Sequence, residues 1–286
     1  MDRSREIPMN KLKLRLQLEQ FFLEDIGERD TTSELIFGDE EQGELVFIAK
    51  ENGIFCGEEI IRTGFSLLDN NVVIDLEVRD GERFKKGQKL VTITGQVTTL
   101  LKGERVVLNL VQRMSGISTR TKEAVNILDS TFTRIVDTRK TTPGLRMLEK
   151  YAVRCGGGFN HRFGLYDGVM IKDNHIAFAG SISKAVEKVK SNLGHMVKIE
   201  VEIESREQLL EAIEAGADVI MFDNRTPDEI KEWITLVPNG IVTEASGGIT
   251  LENLDKYKHT GVDVISLGFL THTIQSIDIS AKVHVK

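Results

Sequence analysis

The chain has 286 residues, 40% of them hydrophobic, and a formal net charge of −7. That length suits one large or two ordinary domains with a sizeable core, and the acidic balance, without a broad basic face, excludes a nucleic-acid partner. No apolar run approaches the roughly 20 residues of a membrane span, and MDRSREIPMN lacks the apolar heart of a signal peptide, so a cytoplasmic protein is expected.

Residues 1–115 mix helix with antiparallel-looking strands. KLKLRLQLEQFFLEDI (11–26) begins with period-two alternation, but its length and good helix formers predict a helix starting near Asn10. ELVFIAKENGIFCG (44–57), VVIDLEVRDG (72–81) and QKLVTITG (88–95) read as strands closed by glycine turns. TTLLKGERVVLNLVQRMSGIS (98–118) reads as a helix whose Arg105, Asn109 and Gln112 share a polar stripe, either solvated or facing a site or second subunit. Cys56 and Cys155 are far apart in sequence, lack metal-ligand spacing, and read as small buried hydrophobes of a reduced protein.

Residues 116–286 change to repeated strand-then-helix units. TRIVD (133–137), GVMIK (168–172), VKIEVE (197–202), DVIMF (218–222), IVTEA (241–245) and DVISL (263–267) are the predicted strands. Helices are expected near 144–155, near 181–192 with Ser181 as cap, over SREQLLEAIEAG, over TPDEIKEWI, and over LENLDKYKHTG. Six parallel units fall short of a full eight-stranded barrel, which predicts an incomplete α/β barrel following an N-terminal α+β sandwich domain. The last 15 or so residues are expected to pack back on that first domain.

Residues 134–175 carry eight Lys or Arg against four Asp or Glu, a local excess of +4 in an acidic chain. A concentrated positive site of this kind points to a small, highly charged anion. Arg139, Lys140, Arg162 and Lys172, with His161 nearby, fall at strand ends or loops and could clamp carboxylates or phosphates. Thr138 precedes them. Glu202 and Asp223 close neighbouring predicted strands, and such a pair suits Mg²⁺ shared with a substrate phosphate, or general acid–base work. Either Glu200 or Glu202 could face the metal, because both lie on one face of their strand. Ser246-Gly247-Gly248 and Gly268-Phe269 follow the two last strands, where glycine lets backbone N–H groups approach a phosphate.

These segments resemble the quinolinate phosphoribosyltransferase family, whose other name is nicotinate-nucleotide pyrophosphorylase (carboxylating). The resemblance runs nearly end to end, through EDIGERDTTS (24–33), GIFCG (53–57), DGERFKKGQ (80–88), GERVVLNLVQRMSGIST (103–119), DTRKTTPGLRMLEKYAV (137–153), NHRFGLYDGVMIKDNHI (160–176), FDN (222–224), EASGGI (244–249) and SLGFLTH (266–272). Arg29 departs from the family's Gly-Asp-x-Thr-Thr pattern, in a loop outside the charged cluster. The phosphoribosyl-diphosphate loop of the commoner phosphoribosyltransferases is absent, in keeping with the barrel type.

The resemblance implies transfer of phosphoribose from 5-phosphoribosyl 1-diphosphate to quinolinate with Mg²⁺, giving nicotinate mononucleotide, CO₂ and diphosphate on the way to NAD. It implies a homodimer in which Arg105 crosses to the neighbouring subunit's site and joins Arg139, His161, Arg162 and Lys172 around quinolinate. Thr138 and Lys140 belong to the same pocket, with Lys140 toward the phosphoribosyl donor. Glu202 and Asp223 would sit near the ribose hydroxyls and Mg²⁺, and Ser246, Gly247, Gly248, Gly268 and Phe269 would form the 5′-phosphate cradle. Three other readings stay open: a barrel lyase using Lys172 as a Schiff-base nucleophile, an anion sensor that binds without turnover, and a molybdate-transport-associated relative of the same fold.

Overall fold

In this computed structural model residues 9–38 and 40–285 are described. The chain divides into two compact units: one of residues up to Lys122 with Met147–Gly157 and the stretch from Thr273, the other of Glu123–Arg146 and Gly158–His272.

The first unit opens with α1 (Lys11–Ile26), capped by Asn10, whose Oδ1 accepts from the Lys13 N–H at 3.0 Å. The helix settles the ambiguity of the alternating leucines. Leu14, Leu18 and Phe22 recur every four residues and are buried, whereas Leu12, Leu16 and Leu23 face outward. Asp30 caps α2 (Thr31–Ile36), taking the N–H groups of Thr32 and Ser33. There follow β1 (Gln42–Ala49), β2 (Gly53–Ile54), α3 (Glu58–Leu68), β3 (Val73–Leu76), β4 (Arg83–Phe84), β5 (Lys89–Gln96), α4 (Val97–Leu128) and α5 (Arg146–Cys155). β3, β5, β1 and the C-terminal strand Ile279–Val285 form an antiparallel sheet in that order, and β2 pairs with β4.

α4 is longer than the expected 98–118. Gly116, inside the helix, serves close packing: a Cβ there would lie 2.2 Å from the Gln275 carbonyl oxygen. Its polar stripe divides, with Arg105 and Asn109 exposed while the Gln112 amide donates to the Ile279 carbonyl at 2.9 Å. The two cysteines, remote in sequence, meet: their sulfurs and an Asp80 oxygen lie within 4.8 Å of one another. Asp80 is already engaged, accepting from the N–H groups of Gly57 and Glu58 and from the Tyr151 hydroxyl. Burial pushes the Cys56 thiol well up, which keeps it an inert thiol.

The second unit contains β6 (Arg134–Val136), β7 (Val169–Ile171), α6 (Asp173–Ala179), α7 (Ile182–Lys190), β8 (Ile199–Ile203), α8 (Arg206–Ala215), β9 (Val219–Asp223), α9 (Pro227–Trp233), β10 (Val242–Ser246), β11 (Val264–Ser266) and α10 (Phe269–His272). All six strands are parallel in the order β7-β8-β9-β10-β11-β6. That is the cyclic order of a barrel with one seam, between β6 and β7, and the fold is an incomplete α/β barrel. Phe159 runs along the free side of β6, donating to the Ile135 carbonyl at 2.8 Å and accepting from Asp137. Local signals behave as their chemistry dictates: Ser181, Ser205 and Thr226 cap α7, α8 and α9, and Pro227 occupies the first turn.

The segment after Lys172 forms a helix to which the sequence reading assigned no element: the Lys172 N–H is met by His175 Nδ1 at 3.0 Å at the start of α6. One expectation needs correction. The stretch 251–261 forms turns and a short 3₁₀ segment, Leu254–Tyr257, instead of an α-helix. There the Asn253 side chain accepts from Thr250 N–H and donates to the Gly248 carbonyl, diverting the backbone into a turn. Among the described residues no helix is long and apolar enough to cross a membrane.

Candidate active site

A parallel sheet in cyclic order gathers the carboxyl ends of its strands at one end. Residues 138–140 follow β6, Lys172 follows β7, Glu202 is next to last in β8, Asp223 ends β9, Ser246 ends β10, and Gly268 comes two residues after β11. The local charge excess is therefore sorted by the fold. Arg139, Lys140, Arg162 and Lys172 stay with the strand ends, while Lys150 and Arg154 belong to the other unit. Arg134 lies over the Phe159 ring, 4.8 Å from its centroid. Arg146 braces the loop after β6, donating to Thr141 Oγ1 at 3.0 Å and to the Phe163 carbonyl at 3.0 Å.

Lys172 forms an ion pair with Glu202. Asp223 accepts from the Asn224 amide at 2.7 Å, and burial raises its carboxyl while Lys172 and Lys140 pull it down. The aliphatic stem of Lys140 passes over Gly268, where a Cβ would lie 3.2 Å from its Cδ. Its backbone is held from both sides: Lys140 N–H donates to Thr138 Oγ1 at 3.0 Å, and its carbonyl accepts from Thr271 Oγ1 at 2.8 Å. The mouth thus holds two carboxylates on the adjacent strands β8 and β9, with Lys172 following the neighbouring β7 and Lys140 following β6.

Arg139 is exposed and Arg162 half-buried. Burial first, then the nearby Arg139, lowers the Arg162 guanidinium from its usual value. Arg162 Nη1 donates to the Gly168 carbonyl at 2.8 Å, while its buried Nε has no partner. Two guanidiniums within electrostatic reach of each other, one with an unspent donor, are chemistry suited to an anion.

The glycine turns are built for close approach. Ser246 pairs in register with Asp223, and the Asn224 N–H donates to the Ser246 carbonyl at 2.8 Å. Asn224 has φ 52°, and Gly247 (φ 85°) and Gly248 (φ 63°) are also left-handed. A Cβ on Gly247 would lie 2.3 Å from Asn224 Oδ1. Gly268 and Phe269 open the short helix α10 on the neighbouring strand end.

His161 points inward. Its Nε2 lies 3.1 Å from a Glu200 oxygen and 3.4 Å from a Glu244 oxygen, both carboxylates buried. Burial alone would lower this histidine, but hydrogen bonds to Glu200 and Glu244 and their charges outweigh it and raise it to about 10. Nδ1 accepts the Arg162 backbone N–H at 2.8 Å. Nε2 is the ring's donor toward the two carboxylates. Glu200 is raised, by burial above all. His161, Glu200 and Glu244 form a hydrogen-bonded triad. Glu244 did not stand out in sequence. The signal was present as a lone acid inside VTEAS, a strand that two covered faces should make continuously apolar. Arg105 lies in the first unit, exposed, 3.8 Å from Glu104.

Comparison with known proteins adds the following. The model of the quinolinate phosphoribosyl transferase C-terminal domain matches residues 117–282, and that of the N-terminal domain residues 30–115. A probable nicotinate-nucleotide pyrophosphorylase [carboxylating] of Bacillus subtilis is 61% identical over 275 residues, 96% of this chain and 95% of the relative. Its counterpart from Synechocystis is 44% identical over 87% of this chain and 85% of the relative. Among solved structures, NadC from Streptococcus pyogenes superposes with a TM-score of 0.94 at 37% identity, covering 98% of this chain and all of that one. The nicotinate-nucleotide pyrophosphorylase from Francisella tularensis gives 0.90 at 35% identity, covering 99% and 100%.

Proposed function

The chain belongs to the quinolinate phosphoribosyltransferase family, and we propose how the side chains at its barrel mouth divide the work of that family's reaction. The reaction transfers phosphoribose from 5-phosphoribosyl 1-diphosphate to the ring nitrogen of quinolinate. Loss of the 2-carboxylate as CO₂ leaves nicotinate mononucleotide and diphosphate, in the making of NAD.

The carrying observation is the Arg139–Arg162 pair with its unspent, buried Nε. Two guanidiniums within electrostatic reach of each other match the two carboxylates of quinolinate, and a bound dianion would offset the repulsion between them. Substrate and donor are both anions that repel each other in water, so holding them in contact is most of the task. Positioning of this kind can supply roughly 7–11 kcal/mol. Lys172 and Lys140 stand between the two, Lys140 leaning over Gly268 toward the donor. The N–H groups of Gly247, Gly248, Gly268 and Phe269 receive the 5′-phosphate, where absent side chains permit close approach. As diphosphate departs, positive charge grows at the anomeric carbon, and Glu202 and Asp223 stabilise it electrostatically.

Glu202 and Asp223 also fit Mg²⁺. They are an oxygen-only pair, and each commits one oxygen to a protein partner, Lys172 and Asn224 respectively, keeping the other. Bound with the donor, the ion would neutralise the leaving diphosphate. Of the other readings, a Schiff-base lyase is disfavoured because Lys172 engages a carboxylate instead of standing in an apolar pocket. We propose a homodimer in which Arg105 of the second subunit completes the quinolinate clamp. The test is direct: with Mg²⁺, quinolinate and phosphoribosyl diphosphate the protein forms nicotinate mononucleotide and CO₂ in equal amounts. Binding of both substrates without turnover would instead support the anion sensor.

A further inference from the structure

We propose that Arg146 is a positioning residue that fixes the relation between Arg139 and Arg162, and so sets the preference for two carboxylates over one, without touching the substrate. The inference rests on the reading of those two arginines as the quinolinate clamp.

Arg139 and Arg162 stand on separate loops, one after β6 and one before β7. Those strands are the two edges of the parallel sheet, so strand pairing does not join them. Phe159 and Asp137 tie the chain to β6 as far as His161, whose N–H donates to Asp137 at 3.0 Å. Past that point Arg146 makes the tie. Its Nε donates to Thr141 Oγ1 at 3.0 Å and its Nη2 reaches the Arg139 carbonyl at 3.5 Å, both on the loop after β6. Its Nη1 donates to the Phe163 carbonyl at 3.0 Å, on the loop before β7. One guanidinium thus holds the carbonyl of one clamp residue and that of the other's chain neighbour.

The acceptors are themselves fixed. The Arg139 carbonyl also takes the Thr141 N–H at 2.8 Å. Asp167 accepts from the N–H groups of Phe163 at 2.6 Å and Gly164 at 2.8 Å, and the Gly168 carbonyl holds the Arg162 guanidinium at 2.8 Å. A planar fork with donors at set angles transmits one separation between the loops, whereas an ammonium, a point charge on a flexible stem, does not. The partners of Arg146 are a hydroxyl and two carbonyls, all neutral oxygens, so the residue acts by the geometry it imposes and cancels no charge. Holding binding groups in place before the ligand arrives leaves more of the interaction energy for affinity and discrimination.

The full-length parent, Arg146→Lys and Arg146→Ala, compared at matched melting temperatures, test this. By calorimetry, quinolinate affinity should fall at least about tenfold in both variants, the scale of lost charged-donor hydrogen bonds. Nicotinate affinity and the KM for phosphoribosyl diphosphate should move far less. Guanidinium ion added to Arg146→Ala should recover part of the quinolinate affinity, and methylammonium should not. Parent-like quinolinate binding by Arg146→Lys would show that charge suffices and would overturn the proposal. So would equal losses for quinolinate and nicotinate, or no recovery with guanidinium. Hydrogen exchange over 138–145 and 160–168, measured without ligand, should quicken in both variants; unchanged exchange contradicts a tie between the loops. Failure of the parent to form nicotinate mononucleotide would instead remove the functional reading, while the exchange result, which needs no substrate, still decides whether Arg146 joins the loops.

Discussion

Gly247→Ala separates backbone geometry at the proposed phosphate cradle from simple loss of flexibility. Gly247 has φ 85°, and a Cβ there would lie 2.3 Å from Asn224 Oδ1 and 2.9 Å from Asn224 N. A left-handed conformation costs a residue with a side chain about 1–2 kcal/mol. Ordinary contact needs roughly 3.5 Å, so the turn after β10 and the end of β9 must part by about 1 Å. Displacing binding groups by that much costs on the order of 100-fold in rate. The kcat/KM for phosphoribosyl diphosphate should fall by that factor, measured from initial rates of nicotinate mononucleotide formation at fixed quinolinate. Gly248→Ala is the control: φ is 63°, but the nearest atom is 4.0 Å away, so strain remains without collision and the fall should be far smaller. Adding Asn224→Gly to Gly247→Ala removes the opposing Oδ1, tolerates φ 52°, and should restore part of the loss. Equal defects in Gly247→Ala and Gly248→Ala, or no recovery in the double variant, would refute the reasoning.

Other outcomes follow from the same geometry. Lys172→Ala leaves Glu202 without its ion-pair partner and should lower turnover by more than tenfold, the scale of a charge-assisted bond, with little change in melting temperature; loss of fold would mark Lys172 as structural. Removing Mg²⁺ with a chelator should abolish turnover and weaken donor binding while sparing quinolinate binding, as read by calorimetry. Mixing Arg105→Ala with a Lys172→Ala partner should recover activity in heterodimers if sites are shared; no recovery despite demonstrated subunit exchange rules that out. The His161 triad has a pH signature. Burial lowers and the two glutamates raise its proton affinity, from 6.5 to a net value of about 10, so its stabilisation is complete below about pH 6.5 and is lost as pH rises through about 10. The melting temperature should therefore fall between pH 7 and 10, and fall less in Glu244→Gln.

Where local chemistry decides, the sequence was readable. Asn10, Ser181, Ser205 and Thr226-Pro227 start helices because their side chains or ring shape satisfy the first turn. The alternation of apolar and acidic residues in β8 put Glu200 and Glu202 on one face, but could not assign their partners. Three-dimensional proximity does so, giving Glu202 to Lys172 and Glu200 to His161. The meeting of Cys56 with Cys155, the sorting of Lys150 and Arg154 into the other unit, and the inward turn of His161 all depend on long-range packing, which no spacing rule encodes. The stretch 251–261 misled for a complementary reason: one asparagine side chain competes with helical hydrogen bonds.

The claim beneath the whole account is that Arg139 and Arg162 form a preassembled receptor for two carboxylates. Titration calorimetry of quinolinate and nicotinate against the parent and an Arg139→Ala/Arg162→Ala double variant tests it most directly. The expected result is strong preference for the dicarboxylate in the parent and a loss of about 100-fold or more for quinolinate in the variant, the sum of two charge-assisted contacts, at an unchanged melting temperature. Equal affinity of the parent for both pyridine acids, or undiminished quinolinate binding by the folded double variant, would contradict it.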